Sequence, residues 1–327
     1  MADEEGAAVP PLMPSPDPFR IAVLGATGCM GRHICAAFTA EGSEVLAIAR
    51  RHAPRVAAHR FRSLDVAGST SEELARVLAE ENIDVVVNAT LGWGDELNYT
   101  NVQLVERLVG TLALMRTPPR LVHLGTIHEY GPVPFGTSIH EDTAPAPTHP
   151  YAKAKLTASR MVLDAVRNGT LDGVVLRVAN TLGPHPALES FFGSLAVRLR
   201  GVEAAAGIGL TIADAQRDYV DVRDAVDAVV RAARVTRADP LVNIGCGQAM
   251  GVRRLVSELV MAAGLPAETI REQRGEVHSR GADWIQVDTS RAARLLGWRP
   301  RFTIGESMRA MWETVDADQS LPARHFG

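Results

Sequence analysis

Short apolar runs alternate with helical patterns over much of this 327-residue chain, and this alternation constrains the fold more than any other feature. Most runs are continuously apolar, which is typical of strands that are buried on both faces. Strands that alternate with helices build a parallel sheet covered on both sides. The sequence therefore predicts an α/β fold with a doubly wound parallel sheet. The predicted strands are 21–24, 45–49, 61–64, 83–89, 121–124 and 174–178, and the predicted helices follow residue 28 and cover 70–82, 97–115 and 150–168.

The turn between the first strand and the first helix carries the segment Gly25-Ala26-Thr27-Gly28-Cys29-Met30-Gly31. Glycines in this place allow a tight turn and let the backbone approach a pyrophosphate, whose charge then meets the helix N-terminus. Ordinary strand-to-helix turns also use glycine, but within a series of strands and helices the pattern favours dinucleotide binding. The cofactor contacts expected here are Gly25, Thr27, Gly28, Cys29, Met30 and Gly31.

The end of the second strand indicates which dinucleotide is bound. An acidic residue there would hold the ribose 2′-hydroxyl of NAD, but the sequence has Arg50 and Arg51, and Arg32 follows the last glycine. Guanidinium groups suit a 2′-phosphate through charge and paired hydrogen bonds, which predicts NADP(H); a solvated arginine patch is the alternative. Asp65, on a loop after the third strand, is placed to meet the adenine, unless it is an ordinary loop carboxylate. The remaining expected cofactor contacts are Val66, Ala89, Thr90 and Leu91.

The chain divides into two main parts. The glycine turn assigns residues 19–179 to a dinucleotide-binding domain. After this the order loosens into stretches that contain glycine and proline, and residues 180–316 are expected to form mainly a smaller C-terminal substrate-binding domain, with segments near 215–247 returning to the first domain. Residues 1–18 are rich in proline and poor in large apolar side chains, which predicts a disordered leader, and 317–327 are expected to be a tail.

Composition and charge argue against several function classes. The formal net charge is -4, so no excess positive charge is available to neutralise nucleic-acid phosphates. The sequence shows no run of about 18 apolar residues and no signal-peptide pattern, which argues against a membrane span or export. Cys29, Cys35 and Cys246 have neither the even count nor the clustering of a disulfide framework or a zinc site. We expect a cytoplasmic protein that binds no metal, no nucleic acid and no membrane.

Both lysines of the chain lie directly after one tyrosine. Of the 34 basic residues, only Lys153 and Lys155 are lysines, and they follow Tyr151. Tyr151 and Lys155 are four positions apart on a predicted helix and hence on one face. An ammonium beside a phenol lowers the tyrosine pKa from about 10 towards working pH, which would make Tyr151 a proton donor or acceptor. In isolation, an exposed tyrosine and lysine pair would be the simpler interpretation.

Several further motifs occur in an order and at a spacing that match one family. They are Gly25-x-x-Gly28-x-x-Gly31, Asn88-Ala89, Asn101, Thr126 four residues before Tyr130-Gly131, Tyr151-x-x-x-Lys155, Arg177 to Pro184 with its Asn-x-x-Gly-Pro ending, Arg217 to Val220, and Leu296 to Pro300. With these motifs the chain resembles an extended short-chain dehydrogenase/reductase of the NAD-dependent epimerase/dehydratase family, from about Phe19 to Glu313. The resemblance implies a Rossmann-type sheet followed by a smaller substrate-binding domain.

The resemblance also implies catalytic roles. Thr126 would hydrogen-bond the substrate carbonyl, Tyr151 would be the general acid, and Lys155 would tune the tyrosine and contact the nicotinamide ribose. Thr126 follows an apolar strand at its carboxyl end, which is the edge where open α/β sheets bind ligands. Without the family, Thr126 would be interpreted as a turn residue.

Four further residues are predicted to line the substrate pocket. In the family, Asn180 would touch the sugar or phosphate of a nucleotide-sugar substrate, and Arg217 would pair with its diphosphate. Arg217 could instead be the partner of Asp218. Trp93, between two glycines after a strand, is expected to line the pocket, although packing on the surface is equally consistent. His128 is expected to be a donor in the pocket wall.

The two residues after Thr126 separate the reactions of the family. Dehydratases of this kind carry Asp-Glu there as acid and base, whereas this chain has Ile127 and His128, and an isoleucine transfers no proton. Epimerases usually keep and recycle NAD, whereas the arginines favour NADPH as a consumed reductant. We therefore expect reduction of the C4 ketone of a nucleotide-activated 4-keto-deoxyhexose, with dTDP favoured, in deoxysugar biosynthesis for a glycosylated natural product such as an antibiotic.

Other functions stay open at this point. A nucleotide-sugar epimerase, or a bifunctional epimerase-reductase, would use His128 as an acid/base group, and His185 could supply a second; we favour a pocket-lining His128 and a loop His185. A non-catalytic NADP(H)-binding regulator would be expected to lose Tyr151 or Lys155. A reductase of a non-sugar ketone or a lipid would lack the diphosphate contact of Arg217.

The oligomeric state is predicted from the resemblance alone. The helices at 97–115 and 150–168 carry wide apolar faces, which is compatible with the four-helix homodimer common in the family. Burial within a monomer predicts the same pattern.

Overall fold

The computed structural model describes residues 18–201, 207–235, 239–275 and 281–315. The predicted tail, and all but the last residue of the predicted leader, lie outside these ranges. The strands are β1 (Arg20–Leu24), β2 (Glu44–Ala49), β3 (Arg60–Ser63), β4 (Val85–Asn88), β5 (Arg120–Thr126), β6 (Gly173–Val178), β7 (Asn180–Leu182), β8 (Ile208–Leu210), β9 (Gln216–Asp221), β10 (Leu241–Ile244), β11 (Ala249–Gly251) and β12 (Ile270–Glu272). The α-helices are α1 (Cys29–Ala40), α2 (Ser71–Glu80), α3 (Leu104–Leu114), α4 (Pro150–Arg167), α5 (Phe191–Arg200), α6 (Val222–Arg234), α7 (Val252–Ala262), α8 (Ser290–Leu296) and α9 (Ile304–Thr314).

Seven strands form one parallel sheet in the order β3-β2-β1-β4-β5-β6-β10. Helices α1 and α6 pack together on one face, and α2, α3 and α4 lie on the other. Every residue of β4, β5 and β6 is buried, which explains why the sequence shows apolar runs there instead of alternation. The predicted doubly wound, Rossmann-type α/β fold is confirmed.

The direction of winding reverses between β1 and β4. Strands β2 and β3 extend the sheet to one side of β1, and β4, β5 and β6 extend it to the other. In open α/β sheets the crevice at the carboxyl ends of the strands at such a switch point is where ligands bind. The fold therefore directs attention to the turn after β1 and to the segments after β4 and β5.

The helix predicted over 97–115 is not regular along its length. A π-helical turn, Tyr99–Gln103, precedes α3. The side-chain amide of the buried Asn101 donates to the Leu97 carbonyl at 2.8 Å and to the Gly92 carbonyl at 2.9 Å. The Leu97 carbonyl is the group that the main-chain N–H of residue 101 would bind in an α-helix, so this side chain competes with the regular pattern.

The C-terminal elements form a smaller region with its own apolar cluster. Strands β7, β9 and β11 make a three-stranded sheet, and β8 pairs with β12. Helices α5, α7 and α9 pack together around residues such as Leu195, Leu255 and Met308. Of the segments near 215–247, β10 joins the large sheet and α6 packs on α1, whereas β9 lies in the smaller sheet.

Buried carboxylates tie the end of the chain to the rest of the molecule. Asp224 accepts the main-chain N–H groups of Arg301 at 2.9 Å and Phe302 at 3.0 Å. The indole of the fully buried Trp298 donates to the Asp224 carbonyl at 2.9 Å. Asp218 receives three main-chain N–H groups in the same way. The motifs near 217–220 and 296–300 therefore have a structural basis as well as a family resemblance.

Candidate active site

The glycine turn after β1 leaves room for an anion. Gly25 has a φ of +76°, a left-handed conformation that favours glycine. A Cβ on Gly31 would lie 2.1 Å from the Gly25 carbonyl oxygen, so only glycine lets α1 begin this close to the strand. Gly28 is the N-cap of α1 and supplies no side-chain cap, which leaves helix N–H groups free for a phosphate. The other predicted contacts in this turn are Thr27, Cys29 and Met30.

The three arginines predicted to hold a 2′-phosphate have different surroundings. Arg50 forms an ion pair with Glu96 at 2.7 Å, and both side chains are half exposed. Arg32 donates to the main-chain carbonyl of His185. Arg51 is exposed and forms no ion pair within the part of the chain that the structure describes. Arg51 is therefore the one of the three that is unengaged and available to a ligand.

Arg55 is a candidate that the sequence analysis missed. Burial lowers the pKa of Arg32, and the positive charge of Arg55 lowers it further, so the two guanidinium groups lie near each other. The Arg55 charge also acts on the thiol of Cys29, the first residue of α1. Its side chain is exposed. The spacing Arg50-Arg51-x-x-x-Arg55 was the available signal.

The segments after β3 and β4 hold the remaining predicted cofactor contacts, among them Asp65, the expected adenine contact. Asp65 accepts a hydrogen bond from the Tyr99 hydroxyl at 2.9 Å. The side-chain oxygen of Asn88 accepts from the Thr90 main-chain N–H at 3.1 Å and from its hydroxyl at 2.7 Å, which fixes the turn after β4. The other predicted contacts are Val66, which is buried, Leu91, which is half exposed, and Ala89, whose carbonyl lies against Gly25.

Thr126, Tyr151 and Lys155 meet at the end of β5. The Tyr151 hydroxyl is hydrogen-bonded to the Thr126 side chain. Lys155 is one turn along α4, only 4% exposed, and its ammonium donates to the Leu124 carbonyl at 2.5 Å. The structure therefore brings together two hydroxyl groups and a buried ammonium beside the switch point.

The pKa of Tyr151 moves in the direction opposite to the expectation from sequence. Burial raises it, the negative charge of Glu129 raises it further, and the hydrogen bond from Thr126 only partly opposes them. Burial lowers the pKa of Lys155 to about 8, and Glu129 opposes that fall. The expected depression of the tyrosine pKa by Lys155 is wrong for this structure, because the ammonium is engaged by a main-chain carbonyl and the phenol is desolvated.

Glu129 is the second residue that the sequence analysis missed. It lies on the 3-10 turn Ile127–Tyr130 that follows β5, and it is fully buried. Its carboxylate accepts hydrogen bonds from the Thr126 main-chain N–H, from Ser159 and from Arg177. An acidic residue between a histidine and the Tyr130-Gly131 pair was visible in the sequence, but nothing there showed that it would be buried.

Three of the predicted substrate contacts lie together. The Nε2 of His128 is 3.1 Å from the Asn180 side-chain oxygen, and the Asn180 amide donates to the Asp218 carbonyl at 3.1 Å. Arg217 donates through Nε to the Ala282 carbonyl at 2.8 Å. Burial lowers the pKa of His128, and the positive charge of Arg217 adds to the fall. The cluster therefore joins His128, on the turn after β5, to Asn180 on β7 and Arg217 on β9.

Trp93 stacks directly on the candidate general acid. Its ring centroid is 4.3 Å from that of Tyr151, with an interplanar angle of 28°. The side chain keeps 41% of its surface exposed. The structure therefore places Trp93 at the mouth of the site and not in a remote surface patch.

His185 packs beside α1. It follows Pro184 on a segment held against α1: its ring is 5.9 Å from that of His33, and its carbonyl accepts from Arg32. His149, the N-cap of α4, is instead the imidazole whose charge reaches His128. The alternative in which His128 and His185 act as a pair gains no support from this placement.

Among residues 18–201, 207–235, 239–275 and 281–315, no group of three or more His, Cys, Asp or Glu side chains could hold a metal ion. Nor does this part of the chain contain a helix long and apolar enough to cross a membrane.

Comparison with known proteins identifies the family. The model of the NAD dependent epimerase/dehydratase family matches residues 21–245. The chain is 42% identical over 306 residues to dTDP-6-deoxy-L-talose 4-dehydrogenase (NAD(P)(+)) of Kitasatospora kifunensis, a match that covers 91% of this chain and 96% of that protein. It is 30% identical over 226 residues to GDP-6-deoxy-D-mannose reductase of Pseudomonas aeruginosa, covering 63% of this chain and 72% of that protein. The chain therefore belongs to the NAD-dependent epimerase/dehydratase family, as its motifs predicted.

Solved structures show the same fold. The structure of dTDP-glucose 4,6-dehydratase of Bacillus anthracis in complex with NAD has a TM-score of 0.80 at 19% identity, and the match covers 92% of this chain and 97% of that one. The structure of UDP-glucuronic acid 4-epimerase of Bacillus cereus in complex with UDP-glucuronic acid and NAD has a TM-score of 0.77 at 20% identity, and the match covers 91% of this chain and 99% of that one. At these identities the likeness shows the fold alone.

Proposed function

We propose that this protein is an NADP(H)-dependent reductase of the C4 ketone of a nucleotide-activated 4-keto-deoxyhexose, with dTDP as the favoured nucleotide. The observation that carries the proposal is the hydrogen-bonded pair of Thr126 and Tyr151 at the carboxyl end of β5, on the same edge of the sheet as the glycine turn. The relative at 42% identity is a 4-dehydrogenase of a dTDP-6-deoxysugar. Oxidation of a C4 alcohol and reduction of a C4 ketone are the two directions of one hydride transfer.

The state of Tyr151 supports the direction of reduction. Because burial and Glu129 raise its pKa, Tyr151 is a phenol at neutral pH and can give up a proton. A ketone oxygen placed beside Thr126 and Tyr151 would accept a hydrogen bond from each hydroxyl. As negative charge grows on that oxygen, Thr126 stabilises it and Tyr151 protonates it. NADPH, when bound, supplies the hydride.

The residues present fit a dinucleotide, and the arginines support one with a 2′-phosphate. The Gly25 to Gly31 turn is a cradle that a single Cβ would fill. Arg51 and Arg55 are exposed cations close to the end of β2, where a 2′-phosphate would lie. Arg50 could join them only by loosening its ion pair with Glu96.

The three predicted substrate contacts that lie together support a nucleotide sugar as the substrate. His128, Asn180 and Arg217 offer an imidazole, an amide and a guanidinium, and a diphosphate needs at least one cation. Ile127 provides no acid or base at the position where an elimination would need one. A homodimer through α3 and α4 stays a prediction from the family resemblance.

The replacement of Tyr151 by phenylalanine tests the proposal. We expect wild-type protein to consume NADPH when given a freshly generated dTDP-4-keto-6-deoxyhexose, and Tyr151→Phe to lose about 10²- to 10⁴-fold in kcat because it keeps the ring but lacks the proton. The measurement is the loss of NADPH absorbance. Tyr130→Phe, which removes a buried hydroxyl bonded to Asn243, is the matched control and should retain most of the turnover.

Two other outcomes would redirect the assignment. An altered NMR spectrum of the sugar without consumption of NADPH would indicate an epimerase and would make His128 the next residue to replace. No change in either the sugar or NADPH would reject the sugar ketone as substrate. Turnover that Tyr151→Phe retains would reject Tyr151 as the proton donor.

A further inference from the structure

A carboxylate is buried directly behind the catalytic candidates. Glu129 has no exposed surface. One carboxylate oxygen accepts the Thr126 main-chain N–H at 2.9 Å and the Ser159 hydroxyl at 2.9 Å. The other accepts the Nε of Arg177 at 2.8 Å. Such a carboxylate is held from three sides and cannot turn without breaking a buried hydrogen bond.

The backbone of β5 packs against the remaining side of the Glu129 carboxylate. A Cβ on Gly125 would lie 2.6 Å from the Glu129 Oε1 atom and 3.1 Å from the Ser159 hydroxyl. The carboxylate therefore rests on the strand immediately before Thr126. Glu129 and Thr126 also form a capping box, in which each side chain satisfies a main-chain N–H of the turn. Movement of Glu129 would displace the hydroxyl that meets Tyr151.

The charge of Glu129 faces two groups besides its ion-pair partner. It counteracts the fall in the pKa of Lys155 that burial causes, and it raises the pKa of Tyr151. Among the described contacts, the Lys155 ammonium is otherwise held only by the Leu124 carbonyl. The titratable and charged groups around it are its partner Arg177 from β6 and Tyr151 and Lys155 from α4. Tyr130 from its own turn contacts Arg177, and the charge of Lys155 acts on His123 from β5. Glu129 is the single anion in this group.

We propose that Glu129 is a positioning residue of the active site, which holds Thr126 in place and supplies the buried negative charge that faces Tyr151 and Lys155. This inference rests on the proposed function. Glu129 would act through Thr126, Tyr151 and Lys155 and not by contact with the substrate. A neutral side chain of the same length would keep an acceptor for the Thr126 main-chain N–H but lose the charge, which separates the two parts of the role.

Glu129→Gln makes that separation. The amide oxygen can still accept the Thr126 N–H, but the negative charge is gone. Without it, Tyr151 loses its proton more easily and Lys155 is less well held as an ammonium, so both changes act in the same direction. We expect the alkaline limb of the pH profile of kcat for reduction to move to lower pH by roughly one unit.

Two variants distinguish charge from structure. Ser159→Ala removes a hydrogen bond to the same carboxylate oxygen without removing charge, so it should lower kcat and leave the alkaline limb in place. Glu129→Asp keeps the negative charge on a side chain that is one methylene shorter. It should return the alkaline limb of the pH profile towards its wild-type position even where kcat is lower. A Glu129→Gln profile that matches Ser159→Ala in shape would overturn the charge role.

A readout that needs no turnover keeps the inference separate from the choice of substrate. The chain has four tyrosines, so a difference ultraviolet titration of protein with and without Tyr151→Phe isolates the ionisation of Tyr151. That ionisation should move to lower pH in Glu129→Gln, whatever substrate the enzyme accepts. An unmoved titration would reject the inference, whereas failure to reduce the keto sugar would reject only the proposed function. If burial of an unpaired Arg177 prevents folding, the titration is made in Glu129→Gln combined with Arg177→Gln, with the same expected direction.

Discussion

The proposed preference for NADPH over NADH depends on single residues that follow the end of β2. Arg51 is exposed and unpaired within the described residues, and Arg55 lies near Arg32 at the start of α1. Replacing both by alanine removes two charged contacts to a 2′-phosphate and should weaken NADPH binding about tenfold or more, while NADH binding stays the same. Titration of nicotinamide fluorescence with each cofactor measures this.

The control for this prediction is another exposed arginine. Arg76→Ala on α2 removes the same charge away from the end of β2 and should leave both affinities unchanged. Equal losses for NADPH and NADH in the Arg51→Ala, Arg55→Ala protein would contradict the assignment, because the two cofactors differ only by the 2′-phosphate. Arg50→Ala should weaken NADPH binding less, because the Arg50 guanidinium is already engaged in an ion pair with Glu96.

The sequence predicted which residues form the group of catalytic candidates, but it predicted the pKa shift of Tyr151 in the wrong direction. The four-residue spacing of Tyr151 and Lys155 depends only on helix geometry, and the hydroxyl partner Thr126 followed from the motif. The direction of the Tyr151 pKa shift depends on burial and on Glu129, both of which are consequences of tertiary packing. A local pair in the sequence therefore indicates which groups can react, whereas the fold decides which of them holds the proton.

Element by element, long strands and helices were predictable and short or irregular ones were not. Most of the strands from β1 to β6 are apolar runs and helix α4 has a helical apolar face, and the structure places them within a few residues of the prediction. The three-residue strands β7, β8, β11 and β12 are too short to show a period. The π-helical turn at Tyr99–Gln103 depends on where one asparagine side chain finds carbonyl partners, which no pattern of apolar residues contains.

Replacement of glycine by alanine should have opposite effects on stability in α1 and α3. In α1, a Cβ at Gly31 would press into the backbone of the first turn, so Gly31→Ala should lose roughly 1–3 kcal/mol of stability and also weaken dinucleotide binding. In α3, a Cβ at Gly110 would meet no atom within 4 Å, so Gly110→Ala should gain roughly 0.5–1 kcal/mol through helix propensity. Chemical denaturation of the two variants measures both signs.

Titration of NADPH separates the two effects of Gly31→Ala. Gly110→Ala should bind the cofactor as the wild type does, because it is remote from the glycine turn. If Gly31→Ala bound NADPH normally, the close approach of α1 to β1 would not be required for binding the cofactor phosphates. The glycine turn would then no longer be assigned as the phosphate site.

At the scale of the whole molecule, acidification acts through imidazoles that the fold keeps neutral. Burial lowers the pKa of His33 to about 4, and it also lowers the pKa of His59, His123 and His128. An unfolded chain binds protons on histidine near pH 6.5. Each of these groups therefore contributes stability that is present above about pH 6.5 and is lost as the pH falls towards the folded-state value.

Buried carboxyl groups act in the opposite direction over part of this range. Burial raises the pKa of Asp218 to about 6, from an ordinary value of 3.8, and it also raises the pKa of Glu141. Between these values the folded protein binds the proton before the unfolded chain does, so each carboxyl contributes stability as the pH falls. Four imidazoles against two carboxyls leave a net loss of stability on acidification.

The free energy of unfolding should therefore decrease between about pH 6.5 and pH 4, by about 1.4 kcal/mol per pH unit for each net proton that the unfolded chain takes up. His33→Gln should make the decrease less steep, because the amide can still donate to the Pro184 carbonyl, which the imidazole approaches at 3.1 Å, but takes up no proton. Asp218→Asn should make it steeper, because it removes an opposing group. Urea denaturation at a series of pH values measures all three slopes. A slope that is the same in His33→Gln as in the wild type would show that the imidazole is protonated in the folded protein, and would reject its burial in the neutral form.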